Sequence, residues 1–281
     1  MNFPGTWEQA VVWLRQQPDQ QTLVEAAYYD DPLLLAAMRY HASDEWSAIK
    51  EFLPKPGGTA LDVGAGRGIA SYALAKEGFQ VTALEPDESA VVGIEAIRGL
   101  AAESGLPIEV CRGFSEELPF SNSQFDLVFA RSVLHHARDL RKSCQAIHRV
   151  LKPGGIFLAV REHVISRPED LDAFLESHPL HKMYGGENAF LLRQYLDSLS
   201  AGGFRVERVV SPLESPVNFA PNTVAMLQEE VARRLAFGSS TRTAAAVAIL
   251  RLPGVWSLVL RALKFIDHRP GRLYSFVCRG L

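Results

Sequence analysis

At 281 residues, 47% of them hydrophobic, the chain has ample material for a sizeable core and reads as one core domain carrying insertions. Its formal net charge of −3 supplies no basic stripe, which sets nucleic acid aside as a general partner. No basic segment leading into an apolar run opens the sequence, and no stretch has the uninterrupted apolar length of a transmembrane helix, so a cytoplasmic location is expected.

The first 54 residues read as a helical lid ahead of the first strand. Trp7, Ala10, Val11 and Leu14 share one face, a second helix runs over about 20–29, and Asp31-Pro32 starts a third. Ser43-Asp44 caps a fourth that ends before Pro54. Such a leader either closes over a ligand or covers a sheet edge. Tyr28 and Tyr29 stand at a helix end, where they either close a site or pack as amphipathic aromatics with wet hydroxyls.

The centre of the sequence is Leu61-Asp62-Val63-Gly64-Ala65-Gly66-Arg67-Gly68, a short apolar strand that enters a glycine turn and then a helical pattern. Gly64 and Gly66 let the backbone turn tightly and approach a ligand, and Gly68 allows close packing of the next helix. The following strand, 80–84, ends in Glu85, 21 residues beyond Gly64, where a carboxylate can accept hydrogen bonds from ribose hydroxyls. A helix is expected over about 87–103 and a strand near 107–112. The next strand, 125–130, is apolar on both faces, as a central parallel strand should be. Its end, Arg131 to His136, and the Arg161-Glu162-His163 end of a strand over 156–160 fall at the carboxyl edge of the sheet, where ligands bind.

Four motifs in order, LDVGAGRG, ALEPD, FDLVFARSVLHH and RVLKPGGIFLAV, resemble those of the class I S-adenosylmethionine-dependent methyltransferases, in their small-molecule (UbiE-like) branch. The resemblance covers about residues 55–165. It implies an α/β fold with a Rossmann-like, seven-stranded, mostly parallel sheet, helices on both faces and the last strand antiparallel. It also implies S-adenosylmethionine as cofactor, S-adenosylhomocysteine as product, and contacts from Asp62, Gly64, Ala65, Gly66, Glu85, Pro86, the Ser115 backbone and Arg131. Phe114 departs from the family pattern, which has an aspartate there for the adenine amino group; the ring can instead stack on or border the adenine. His136 resembles the dyad histidine of phosphoethanolamine-type members, which works with an N-terminal tyrosine, here Tyr28 or Tyr29. In the alternative, Leu-His-His merely starts the next helix.

The polar, glycine-hinged loop 178–188 is the leading acceptor-site candidate, through His178, Lys182, Tyr184 and Glu187. The expected reaction is methyl transfer to an oxygen or nitrogen of a small molecule; where the acceptor is a hydroxyl or an ammonium, a base must also take its proton, for which His136, His163 and His181 are candidates. The histidines and glutamate of the loop match no zinc spacing, so no metal is expected, and Cys111, Cys144 and Cys278 read as core residues rather than ligands or a disulfide framework. A helix over 190–199 precedes the last two strands, 204–210 and 273–279, which are separated by a helical insertion. There Val224, Leu227, Val231 and Leu235 form one stripe, and the apolar stretch 247–266 carries Ser257, Arg261, Lys264 and His268 on one face. That face is either an ordinary solvated one or a contact with an anionic membrane, in which case the acceptor is a lipid or polyprenyl intermediate. The expected division is a lid over 1–54, a core over 55–220 with its acceptor loop at 163–190, an inserted cap over 221–270, and the last core strand over 271–281. A nicotinamide oxidoreductase, whose hydride chemistry nothing after Glu85 suggests, and a non-catalytic adenosyl-binding protein are the remaining alternatives, and neither the acceptor nor the oligomeric state is legible.

Overall fold

A computed structural model describes residues 5–178, 180–237 and 239–281, so that residues 1–4 of the expected lid, Pro179 of the expected acceptor loop and Gly238 of the expected cap lie outside it. The leader folds as α1 (Trp7–Arg15), α2 (Gln21–Ala26), α3 (Leu33–His41) and α4 (Asp44–Ile49). A reciprocal capping box starts α1: the Thr6 hydroxyl accepts the Gln9 N–H, and the Gln9 side chain accepts the Thr6 N–H. Ala10, Val11 and Leu14 are buried, as their helical spacing requires. Ser43 caps α4 by accepting the Trp46 N–H at 3.1 Å.

The core then alternates β1 (Thr59–Val63), α5 (Ile69–Lys76), β2 (Gln80–Glu85), α6 (Ile94–Ser104) and β3 (Ile108–Arg112). It continues through β4 (Phe125–Arg131), α7 (Leu140–Val150), β5 (Leu151–Ile165), α8 (Asp170–Ser177), α9 (His181–Tyr184), β6 (Phe190–Leu191) and α10 (Leu192–Ala201). After β7 (Phe204–Val210) come α11 (Pro216–Phe219), α12 (Val224–Leu235), α13 (Ser240–Leu250), α14 (Val255–Ile266) and finally β8 (Arg272–Gly280). The sheet order is β3-β2-β1-β4-β5-β8-β7, with the first five strands parallel and β8 antiparallel to both β5 and β7. This is the Rossmann-like α/β sheet expected, with one addition, the two-residue β6 beside the end of β5.

Three local differences from the sequence pattern have physical causes. Helix α6 begins at Ile94 rather than near Asp87, because Asp87 Oδ1 accepts the Ser89 N–H and Ser89 Oγ the Val92 N–H, turns that compete with helix. Strand β5 runs past its expected end to Ile165: a bulge at Arg161, whose φ is +62°, lets Glu162 to Val164 resume pairing with β8. In α12 the expected Val224–Leu235 stripe is rotated: Val224 and Leu235 are exposed, while Gln228 and Ala232 are buried. Gln228, Ala232 and Ala236 share one face, and the two small alanines let α13 pack close there; Gln228 Nε2 also donates to the Leu250 carbonyl at 3.4 Å.

Among the described residues no single helix is long and apolar enough to cross a membrane; Ser240–Leu250 and Val255–Lys264 pass that test only together, bent by 102°.

The leader is bound to the sheet by a buried ion group. Arg131, at the end of β4, donates from Nε and Nη2 to the two oxygens of Glu45 at 2.6 and 3.0 Å, and Arg161 Nη1 lies 3.4 Å from the same carboxylate. Burial alone would raise the Glu45 carboxyl, but the two guanidinium groups outweigh it and hold the group below its usual range. The rings of Tyr40 and Tyr28 cover Arg131 at 5.3 and 5.7 Å from its guanidinium carbon. Removing one member strands the other charges away from water, a loss of about 3–5 kcal/mol. We therefore expect Glu45→Gln to lower the urea midpoint sharply, whereas Arg98→Ala, which breaks only an exposed pair with Glu95, leaves it nearly unchanged.

Candidate functional site

One cavity of about 1040 Å³ opens at the carboxyl edge of the sheet, between the leader, the glycine turn, the ends of β2, β4 and β5, and α9. Gly64 and Gly66 both have positive φ, +65° and +56°, and a Cβ on Gly64 would lie 2.7 Å from Val133. The Glu85 carboxylate closes this end of the cavity, its Oε2 accepting the Gly66 N–H at 2.8 Å and its Oε1 the Asp87 N–H at 3.0 Å. Burial pushes Glu85 up to about 7 although both backbone bonds pull the other way. Asp62, under the turn, is likewise driven to about 7 by burial, against a 2.6 Å bond from Ser71 Oγ. Ala65, Pro86, Phe114 and Ser115 also line the cavity. Phe114 is 56% exposed, with the Arg138 guanidinium over its ring, while the Ser115 hydroxyl faces Ser143 Oγ at 2.9 Å.

The other end is organised by Glu162, fully buried after the β5 bulge. Its carboxylate accepts the backbone N–H groups of Val133, Leu134 and His135 at 3.0–3.1 Å, and His135 Nδ1–H at 2.7 Å. His163 donates from Nδ1 to the Gly271 carbonyl at 3.1 Å, and His136 from Nδ1 to the Gly186 carbonyl at 2.8 Å. Glu187 sits between these rings and accepts the Tyr184 hydroxyl at 2.6 Å. Burial, with His135 alongside, pushes His163 down to about 3.

Several residues predicted from the sequence stand elsewhere than expected. His181 and Lys182 do not line the cavity: in α9 the Leu180, Met183 and Tyr184 face packs against the leader beside Ala10, Leu14 and Val24, which turns the two basic residues away. Arg131 does line it, but its guanidinium is taken up by Glu45. Tyr28 and Tyr29 both border the cavity, Tyr28 packed edge-on to Tyr40 and Tyr29 accepting Trp7 Nε1–H at 3.3 Å. Among the described residues neither tyrosine hydrogen-bonds to His136. His178 lies on the wall with its ring 5.6 Å from that of His163. His163, depressed as it is, makes a poor base at neutral pH. Sequence position put His135 and Glu162 at the carboxyl edge of the sheet but gave no sign of their pairing, which arises only through the fold. It also missed Arg67, whose guanidinium donates to the Tyr28 and Asp30 carbonyls at 2.8 Å and pairs with Asp31.

Residues 61–159 match the family model described as a methyltransferase domain. The chain is 33% identical over 138 residues to a ubiquinone biosynthesis O-methyltransferase of Methylobacterium sp. (strain 4-46), covering 48% of this chain and only 50% of that protein. It is 30% identical over 198 residues to a malonyl-[acyl-carrier protein] O-methyltransferase of Enterobacter lignolyticus, covering 70% of this chain and 73% of that one. The chain belongs to the S-adenosylmethionine-dependent methyltransferase family. The methyltransferase fold is also shared with the solved [4+2]-cyclase SpnF, at a TM-score of 0.56 and 22% identity, covering 87% of this chain and 80% of that one.

The cavity of this methyltransferase-family chain fits the family's cofactor, S-adenosylmethionine, on two counts: a positive-φ turn that brings bare backbone to the wall, and a buried carboxylate at the end of β2. If Glu85 takes the ribose hydroxyls as the sequence leads one to expect, its ionised form would accept them, and adenosyl ligands should favour loss of its proton. Calorimetric affinity for S-adenosylhomocysteine is expected to fall as pH drops through about 7. Glu85→Gln should flatten that profile and weaken binding by roughly 10- to 100-fold, the worth of charged hydrogen bonds.

Proposed function

We propose that this chain transfers a methyl group from S-adenosylmethionine to an oxygen or nitrogen of a small-molecule acceptor. One observation carries the reading: a single cavity of about 1040 Å³ reaches from the glycine turn and Glu85 to the polar wall of His136, Tyr184 and Glu187, at the upper end of the size of ligand pockets. Asp62, Gly64, Ala65, Gly66, Glu85 and Pro86 would hold the cofactor, with Phe114 and Ser115 at its base. When bound, S-adenosylmethionine supplies a methyl group already activated on its sulfonium. The protein's work is therefore to align the acceptor and exclude water. The leader supports the second task, since Arg67 and Arg131 hold it across the opening.

The acceptor's proton is assigned to His136. Its Nδ1–H is engaged by the Gly186 carbonyl, which leaves Nε2 as the accepting atom, and its side chain is 37% exposed toward the cavity. His178, Tyr184 and Glu187 are the remaining polar contacts for an acceptor.

A second reading, an acceptor carried on a lipid or polyprenyl group, is favoured by the outer surface of α14. There Leu258 and Ile266 are 63% and 69% exposed beside exposed Arg261 and Lys264. Co-sedimentation with anionic vesicles, abolished by Arg261→Glu with Lys264→Glu, would support that acceptor, and no co-sedimentation would remove it.

The test is calorimetry with S-adenosylmethionine, S-adenosylhomocysteine and NAD, followed by S-adenosylhomocysteine release against pooled phenols, sugars, amines and carboxylates. Both adenosyl compounds should bind. His136→Ala should lower kcat about 10²- to 10⁴-fold while leaving S-adenosylhomocysteine affinity unchanged. Binding of NAD alone overturns the proposal, and adenosyl binding with no turnover in any pool favours a non-catalytic binding protein.

A further inference from the structure

We infer that His135, His163 and Glu187 bind a divalent transition-metal ion of the zinc class, with a coordination position left open to the cavity. One ligand atom from each residue lies within 4.8 Å of the other two, and all three residues line the cavity. They come from three separated places, the turn after β4, the end of β5 and the loop after α9, so no sequence spacing announces them.

The hydrogen bonds around the cluster leave it rich in acceptors. His135 Nδ1–H is given to Glu162 and His163 Nδ1–H to the Gly271 carbonyl, which places the unprotonated lone pair of each neutral ring on Nε2. His135 Nε2 lies 3.7 Å from Glu187 Oε2, and His136 Nε2 lies 3.9 Å from the same oxygen. Both separations exceed hydrogen-bond length. His178 Nδ1, buried and without a hydrogen-bond partner among the described residues, stands 3.9 Å from Glu187 Oε1. Lone pairs thus converge on a carboxylate that is itself only 7% exposed, and buried charge of that kind is paired or coordinates a metal.

The surroundings have the second layer that metal-binding imidazoles use: a carboxylate behind His135, a backbone carbonyl behind His163, and the Tyr184 hydroxyl fixing Glu187. Two imidazoles and one carboxylate suit zinc and its neighbours, and three protein ligands leave a fourth position for a bound molecule. At ligand distances of about 2.0–2.2 Å, tetrahedral donor atoms sit roughly 3.3–3.6 Å apart, so the cluster closes by about an ångström on binding. The hinge for that movement is Gly185-Gly186, immediately before Glu187. On the methyl-transfer reading, from which only this last role depends, the open position would seat the acceptor's oxygen or nitrogen.

The untagged full chain, stripped with a chelator, is titrated calorimetrically with Zn²⁺ and followed by visible absorption with Co²⁺. The same preparation is titrated with S-adenosylhomocysteine. One equivalent of each metal should bind, with a visible Co²⁺ band. Glu187→Gln and His163→Ala should each weaken binding at least about 100-fold, and Glu162→Gln about 10- to 100-fold through His135. His181→Ala, outside the cluster, should bind as the parent does. Retained S-adenosylhomocysteine affinity identifies the folded variants, and if His163→Ala loses it, Glu187→Gln alone decides. A parent chain that binds S-adenosylhomocysteine but no metal overturns the site, as does a Glu187→Gln variant that binds metal like the parent. Metal binding without S-adenosylhomocysteine binding upholds the site and removes the methyl-transfer reading instead.

Discussion

Glu162 has no exposed surface, yet it accepts four hydrogen bonds from a single turn, three from the backbone N–H groups of residues 133–135 and one from the His135 ring. A buried carboxylate without those donors would be prohibitively costly; with them it ties the end of β4 to the end of β5. The geometry depends on the bulge at Arg161, since without the positive φ there the alternation along β5 would not bring Glu162 under the turn. Ser132, on the facing strand end, is also left-handed, with φ +58°, and its hydroxyl donates to the Arg161 carbonyl at 3.3 Å. Two of the non-glycine residues with left-handed backbone thus stand at adjacent strand ends that flank the cavity.

The leader is held by charges that face inward. Arg131 reaches Glu45 from the sheet, and Arg67 reaches the Tyr28 and Asp30 carbonyls from within the glycine turn. Both are largely withdrawn from solvent, so ionic strength screens them far less than it does the surface pairs. The same turn that offers its backbone to the cavity therefore also anchors the segment that lines another of its walls.

The core was legible because its signals are local. The apolar run at Phe125–Ala130, the glycine turn at 64–68 and the strand at Phe204–Val210 each carry their own pattern, and the structure places them as strands and turn accordingly. Side-chain partnerships were less legible, because they join residues far apart in the chain. Nothing near Arg131 announces Glu45, and nothing near His135 announces Glu162 or Glu187. His181 and Lys182 carry suitable chemistry, but a single turn of helix directs Leu180 and Met183 inward in their place. In α12 the apolar count favoured Val224 and Leu235, whereas contact with α13 selects the smaller Ala232.

Strand β8 enters the sheet between β5 and β7, pairing Ile156 with Arg279 on one side and Phe204 with Gly280 on the other. During synthesis the parallel half, from β3 to β5, can assemble as soon as β5 emerges, but the edge of β5 then waits through the helices α8 to α14 for its neighbour. An open edge of this kind invites pairing with other chains, and distant partners close slowly. Loss of the last ten residues would therefore do more than trim a terminus: it would detach β7 from the sheet and leave the strand that carries Glu162 and His163 permanently unpaired along one side.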